Sequence, residues 1–198
     1  MRHSSSASGF STVELVVIVS VIGILLSIGV PSISIWQTNY ALRRAARDLY
    51  STLQLAKLTA VKQNRDCAIV FQTSATPGRY FLCTAPGPNG IWDGPAVMGG
   101  DDVAIKTVSL ADYKGNVNFG KGTASNDIQG SGSPPADPVG YASPTDVAIF
   151  SSAGTIINPG VSGSYVYLSN GRGDAYGVGT PSIVGSVLLR RWSGSKWR

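Results

Sequence analysis

From Phe10 to Val30 the chain is a 21-residue apolar run that carries a single charge, Glu14. As a helix rising about 1.5 Å per residue it measures roughly 31 Å, enough to cross a hydrocarbon core of about 30 Å. No other stretch is apolar for so long, so the pattern predicts a membrane-spanning helix over residues 10–35. Beyond it, Ala41, Ala45, Leu49, Leu53, Ala56 and Ala60 recur at spacings of three and four. That is one narrow, Ala-rich stripe of an amphipathic helix, suited to close packing on a sheet. Arg43, Arg44, Arg47 and Lys57 fall mainly off the stripe and read as a solvated face rather than a binding patch. The helix is therefore expected to continue through Pro31 and over residues 36–65.

After Asn64-Arg65 the period changes to two. Cys67–Phe71 and Arg79–Cys83 are β-rich runs joined by a turn-forming stretch, Gln72 to Gly78. A hairpin centred on Ala75 sets Val70 against Tyr80, Ile69 against Phe81 and Cys67 against Cys83. Cysteines directly opposed on paired strands have Cβ atoms about 4.5–5.5 Å apart, and a bridge needs about 3.5–4.5 Å. A Cys67–Cys83 disulfide is the expectation from this register, and two separately buried thiols are its alternative. Further strands are expected over 103–110, 117–120, 147–151, 155–158, 164–169 and 183–192. Loops are expected over 84–101 and 121–145, the second Gly-, Ser- and Pro-rich and mobile. The fold class predicted is α+β: a long N-terminal helix packed on a C-terminal antiparallel β domain spanning residues 66–198. No internal repeat is apparent.

Composition agrees. The chain of 198 residues has 24 Gly and 11 Pro against 14% charged residues, the profile of a turn-rich β domain. Its acids are Asp throughout, Glu14 excepted, and Asp favours turns and caps. The net charge of +5 is uneven: six Lys/Arg against two Asp over 36–66, five against eight over 67–189, and four against none over 190–198. A basic stem and a basic tail thus flank a mildly acidic body.

In front of the apolar run lies a polar leader, residues 1–9, ending in Gly9. A secretory signal has its cleavage site after the apolar core; here the small residue precedes it. Gly9, Phe10, Glu14, Gly23 and Pro31 together resemble the class III signal of type IV prepilins and type II secretion pseudopilins. The resemblance implies cleavage between Gly9 and Phe10 by a prepilin peptidase, and N-methylation of Phe10. It also implies assembly through Glu14, Gly23 and Pro31. An acid inside a spanning helix costs a few kcal/mol and normally has a partner. The freed amine of a neighbouring subunit's Phe10 is one, the headgroup region the other. The partners implied are other pilins or pseudopilins, an inner-membrane assembly platform and the inner membrane, with the β domain in the periplasm, where disulfides persist.

In the C-terminal half, Ala148–Thr155, Tyr165–Ser169 and Gly185–Arg191 resemble the GspH/FimT branch of minor pilins and pseudopilins. Ser195 departs from the arginine usual in that branch's tail.

Enzymatic chemistry finds little support. The single His, His3, falls in the leader, which removes His-based triads, zinc sites and proton shuttles from the mature chain. No cofactor motif occurs, and Gly171 to Gly177 lacks dinucleotide-binding spacing. The Arg172-Gly-Asp174 triplet reads as a hairpin turn. Asp101 and Asp102, near Asp93, offer oxygen ligands for calcium, but adjacent Asp in a Gly loop read more simply as a solvated turn, and no metal is expected. Arg190, Arg191, Lys196 and Arg198 are interleaved with Trp192 and Trp197. Guanidinium groups neutralise phosphates and indoles stack on bases, so the tail is the candidate for the alternative function, DNA binding during natural transformation. A basic edge strand is the competing reading.

Overall fold

The computed structural model describes residues 11–129, 132–133, 136–142, 146–160 and 163–198, without the side chains of residues 28–34. One helix, α1 (Thr12–Gln63), is followed by β1 (Cys67–Gln72), β2 (Arg79–Cys83), β3 (Ala104–Ser109), β4 (Asn118–Phe119), β5 (Val147–Phe150), β6 (Ser164–Ser169), β7 (Ala175–Thr180) and β8 (Leu188–Arg191). The chain divides into two compact units, Met1–Gln37 and Thr38–Arg198.

In the first unit the described side chains of α1 from Val13 to Leu26 are apolar on every side, Glu14 and Ser20 apart. Its described side chains from Val13 to Leu26 include eleven exposed large hydrophobics, Ile18 at 44% the least exposed and Val13 at 72% the most. Among the described residues no helix is long and apolar enough to cross a membrane. The helix is also a little shorter than the expected 10–65, beginning at Thr12 and ending at Gln63. Gly9 and Phe10 lie outside the described residues, as does the side chain of Pro31.

The second unit shows why α1 stops where it does. Asn64 takes the left-handed conformation at φ 49°. Asn64 N donates to Val61 O (3.3 Å) and Arg65 N to Ala60 O (3.2 Å). These two bonds close a Schellman cap, with asparagine in the place usually held by glycine.

Two antiparallel four-stranded sheets, in the orders β3-β2-β1-β5 and β4-β6-β7-β8, share one core with the helix. All six stripe residues are buried, Ala41 at 7% and the rest at 0%, and Leu42, Ala46 and Thr52 widen the stripe. They meet Cys67, Ile69, Phe71, Tyr80, Leu82 and Phe150 from the first sheet, and Val166, Leu168 and Val178 from the second. Each sheet's other face is covered by loops. The 84–103 segment lays Trp92 and Met98 over Ala68, Val70, Phe81 and Cys83. Ile128 and Trp197 cover Tyr165 and Tyr167. The stretch expected as a mobile loop is therefore packed where it is described: Ala124, Ile128, Val139 and Tyr141 are buried.

The β1–β2 hairpin forms in a register one residue away from the expected one. Val70 pairs with Phe81 and Ile69 with Leu82, and Cys83 lies opposite Ala68 rather than Cys67. Gly78 is the reason. A Cβ there would lie 2.3 Å from the Phe119 ring, and Gly78 N donates to Asn118 Oδ1 at 2.9 Å. Gly78 is thus held by β4, and the strand begins at Arg79. A one-residue slip reverses faces, so Cys67 enters the shared core while Cys83 enters the loop-covered layer. Both are free, buried thiols, not the expected disulfide.

Three further expectations are corrected. Residues 155–158 make only an isolated bridge, Phe150 to Ile156. The run from Ile183 to Trp192 yields a strand only at Leu188–Arg191, with Ile183 and Val184 exposed at 61% and 66%. Ala175–Thr180 is a fully buried strand where no strand was expected. Gly179 is needed there, because a Cβ would lie 2.0 Å from Ser164 O.

Deleting a stripe leucine leaves a cavity between helix and both sheets. Leu49→Ala is expected to lower the unfolding free energy by about 2–5 kcal/mol. Leu58→Ala, at a position 64% exposed, is expected to change it by less than about 0.5 kcal/mol. Urea unfolding of the detergent-solubilised chain, followed by circular dichroism, separates the two.

Candidate functional site

Of the residues expected to act in processing and assembly, Glu14 and Gly23 are described. Glu14 sits exposed in the first turn of α1. A Cβ on Gly23 would meet nothing within 4 Å, so no packing among the described residues requires glycine there.

On the stem, the polar edge of α1 is tied to the first sheet. Lys106 of β3 lies 3.2 Å from Asp48 Oδ1 and donates to Thr52 Oγ1 at 2.8 Å. The Tyr113 hydroxyl donates to Asp48 Oδ2. The Arg44 guanidinium stands 5.5 Å from the Tyr113 ring centroid. Burial, aided by the Asp48 hydrogen bond and charge, holds the Tyr113 phenol above its ordinary pKa. The Lys106 and Asp48 side chains are 33% and 39% exposed. Such a pair orients more than it stabilises, and here it fixes the rotation of α1 against β3.

The basic tail is an ordered hairpin. Arg191 and Arg198 exchange backbone hydrogen bonds of 2.8 and 2.9 Å, and Ser193 N donates to Lys196 O at 3.0 Å. Trp192 is 3% exposed, with its indole N–H unpaired among the described residues. The Trp197 ring lies 5.4 Å from that of Trp192 and 5.6 Å from that of Tyr167. Trp197 Nε1 donates to Asn126 O at 2.9 Å. The indoles expected to offer stacking surfaces are thus largely spent on the domain, as apolar rings next to a sheet face should be.

The four tail cations do not converge. Arg190 turns inward, its Nη1 donating to Ile128 O at 3.0 Å, because neighbours on a strand point to opposite faces. Lys196 is exposed on the turn. Arg191 and Arg198 instead join Arg172 in lining a cleft of about 380 Å³, together with Thr123, Asp174 and Ser193. Arg191 Nη2 is 3.9 Å from Asp174 Oδ1. Sequence reasoning placed Arg172 in a turn but missed its partners. The signal was the Asn170 to Asp174 segment, in which Asn170 Oδ1 accepts from Arg172 N and Asp174 N at 3.0 and 3.1 Å.

Carboxylate oxygens of Asp93, Asp101 and Asp102 lie within 4.8 Å of one another on the 84–103 loop, the first two residues exposed and Asp102 buried. Asp102 accepts from Gly94 N (2.8 Å) and Gly87 N (3.3 Å). Desolvation outweighs those bonds and raises its pKa. The carboxylate is thus a backbone clamp that closes the loop on itself.

The family model described as type II transport protein GspH matches residues 45–179, from within α1 to within β7. That is more than half of the chain, and the chain belongs to this family, within the pilin and pseudopilin superfamily. No curated protein and no solved structure matches it.

Burial raises the Cys67 thiol's pKa and pushes that of Cys83 up to about 12. Thiols that stay protonated and enclosed are inert. Without reductant, the folded chain is expected to take up no thiol reagent and the denatured chain two equivalents, one for each free cysteine. A bridged chain would take up none in either state, and intact mass after alkylation decides.

Proposed function

We propose that this chain is a minor pseudopilin, a structural subunit built into a type II secretion pseudopilus through its N-terminal helix. The observation that carries the reading is the division of labour along α1. Ala41 to Ala60 spend their apolar stripe on the β domain, whereas Val13 to Leu26 expose apolar side chains that no other described residue covers. A helix apolar on every side belongs in lipid or among other helices. In this reading the segment over 10–35 anchors the chain in the inner membrane, with the β domain in the periplasm. It later packs with the same helices of other pseudopilins, delivered by the assembly platform. A prepilin peptidase removes residues 1–9, Phe10 is methylated, and Glu14 meets the amine of a neighbouring Phe10. Gly23 and Pro31 let the helix adjust as it packs. Membership of the GspH family supports a secretion pseudopilus over a type IV pilus.

The alternative, a DNA-binding minor pilin acting through Arg190, Arg191, Lys196 and Arg198, keeps the charge it needs but loses most of its stacking surface. Trp192 is buried, and Arg190 is committed to Ile128 O.

Mass spectrometry of the chain from its native membrane is expected to show a mature N-terminus at a methylated Phe10. Any other start sinks the processing scheme. Glu14→Leu is expected to leave cleavage intact and to reduce recovery in sheared fibres about tenfold, the loss of a partnered charge worth ~1.4 kcal/mol or more. Equal recovery would show that Glu14 takes no part in packing.

A further inference from the structure

The cations of the stem are not all spent on the domain. Lys57 is: its Nζ donates to Val184 O and Gly185 O at 3.2 and 3.1 Å. Arg43, Arg44 and Arg47 are exposed, and at 3.6 residues per turn they share an arc of about 100° on the side of α1 opposite the buried stripe. Among the described residues the side chains of Arg43 and Arg47 make no hydrogen bond or ion pair.

A second segment adds a fourth cation. Arg44 stands over the Tyr113 ring, and Lys114, the next residue, is exposed and likewise has no described partner. This turn reaches the stem because Gly115 lacks a side chain: a Cβ there would lie 3.0 Å from Thr38 Cα and 3.4 Å from Ala41 Cβ. Of the acids nearby, Asp48 is held by Lys106 and Tyr113, and Asp112 is exposed. Between this turn and the β1–β2 turn lies a cleft of about 380 Å³, lined by Leu110, Lys114, Asn116 and Asn118 among others. That is the size of a small ligand site. Asn118 Oδ1 is spent on Gly78 N and Phe119 N, at 2.9 Å each, which leaves its amide N–H groups as donors beside the lysine.

The chain's own path names the occupant. Thr38 is three residues beyond residue 35, the end of the segment assigned above to the membrane. Three residues span at most about 11 Å, and headgroups occupy about 5–7 Å outside the hydrocarbon on each side. Helical side chains lean toward the N-terminus, so Arg43, Arg44 and Arg47 are directed back toward that boundary.

We propose that Arg43, Arg44, Arg47 and Lys114 form a collar for anionic phospholipid, with one phosphate headgroup in the cleft at Lys114. The collar seats the β domain on the membrane before the chain enters a fibre. The inference rests on the anchored reading above and adds to it an electrostatic hold, screened within a Debye length of about 8–10 Å.

The test uses the full chain in vesicles of phosphatidylcholine, with or without an equal share of phosphatidylglycerol. Ala111→Cys, exposed at the cleft, carries a fluorophore, and headgroup nitroxides quench it when it docks. Cys67 and Cys83 are buried, so the parent chain is the labelling blank. Quenching is expected to rise with phosphatidylglycerol and to fall with salt. Arg43→Gln/Arg47→Gln/Lys114→Gln should cut the docked-to-undocked ratio about tenfold. Arg43→Lys/Arg47→Lys should dock as the parent does, which a misfolded domain would not. Lys62→Gln/Arg65→Gln, exposed at the other end of the stem, should change nothing. Quenching indifferent to phosphatidylglycerol, or lost equally in the Lys62/Arg65 variant, overturns the proposal. If glycerol phosphate in solution shifts the label as strongly in vesicles without phosphatidylglycerol, the cleft is a soluble-anion site and the lipid proposal falls. Docking that appears only with other fibre subunits present assigns the collar to an acidic protein surface and overturns it too. A chain that survives a carbonate wash but shows no headgroup contact leaves the anchor standing and the collar wrong. A chain that washes off loses the anchor and the collar with it.

Discussion

The domain is organised by the close approach that alanine permits. Ala41, Ala45, Ala46, Ala56 and Ala60 keep the buried face of α1 shallow, and Leu42, Leu49 and Leu53 fill the gaps between the two sheets. With larger side chains along that face, one helix could not touch both sheets at once, because interiors pack without slack. Shape alone leaves the helix free to rotate a little about its axis. The bonds from Lys106 and Tyr113 to Asp48, and from Lys106 to Thr52, remove that freedom along one edge.

A helix can cover only one face of each sheet, and the chain solves the remaining two faces with loops. Trp92 and Met98 cover the first sheet; Ile128, Trp192 and Trp197 cover the second. This decides where charge can sit. Backbone leaving a sheet edge must satisfy its polar groups, and Asp102 does so for the 84–103 loop with two N–H bonds. The carboxylates of Asp93 and Asp101 gather around that clamp. The arginines collect at the hairpin, where the strand's inward positions go to Trp192 and Arg190 while Arg191 and Arg198 stay outside. The polarity of the domain surface follows from how its covers are built.

Much of this was legible in the sequence. The stripe from Ala41 to Ala60 was plain because small residues at helical spacing have few other readings, and Asn64-Arg65 marked the end of the helix. The existence of the β1–β2 hairpin was clear too, but its register was not. Register depended on Phe119, some forty residues away, pressing on Gly78, and no local pattern contains that contact. Strand β7 was hidden by its own requirement. Gly177 and Gly179 make it resemble a turn, yet Gly179 is there because the β6 backbone comes too close for a side chain. The tail was read correctly for charge, and Arg191, Lys196 and Arg198 are exposed while Trp192 turns inward. Alternation says which residues share a face, but not which face the rest of the chain will cover.

The same limit bears on how the molecule is used. A chain that buries its stem stripe and both sheets, yet exposes Val13 to Leu26, has satisfied its own fold and left one requirement to its surroundings. Glu14 sharpens that requirement, because a carboxylate among apolar residues costs several kcal/mol in lipid and is tolerated only where a positive group can reach it. Lipid answers the apolar part of the demand and leaves the charge at the edge. On the function proposed above, a neighbour of the same kind, offset by a few residues along the axis and offering its freed N-terminal amine, answers both. On the same proposal, a bundle of similar helices meets both demands where a solitary anchor meets one.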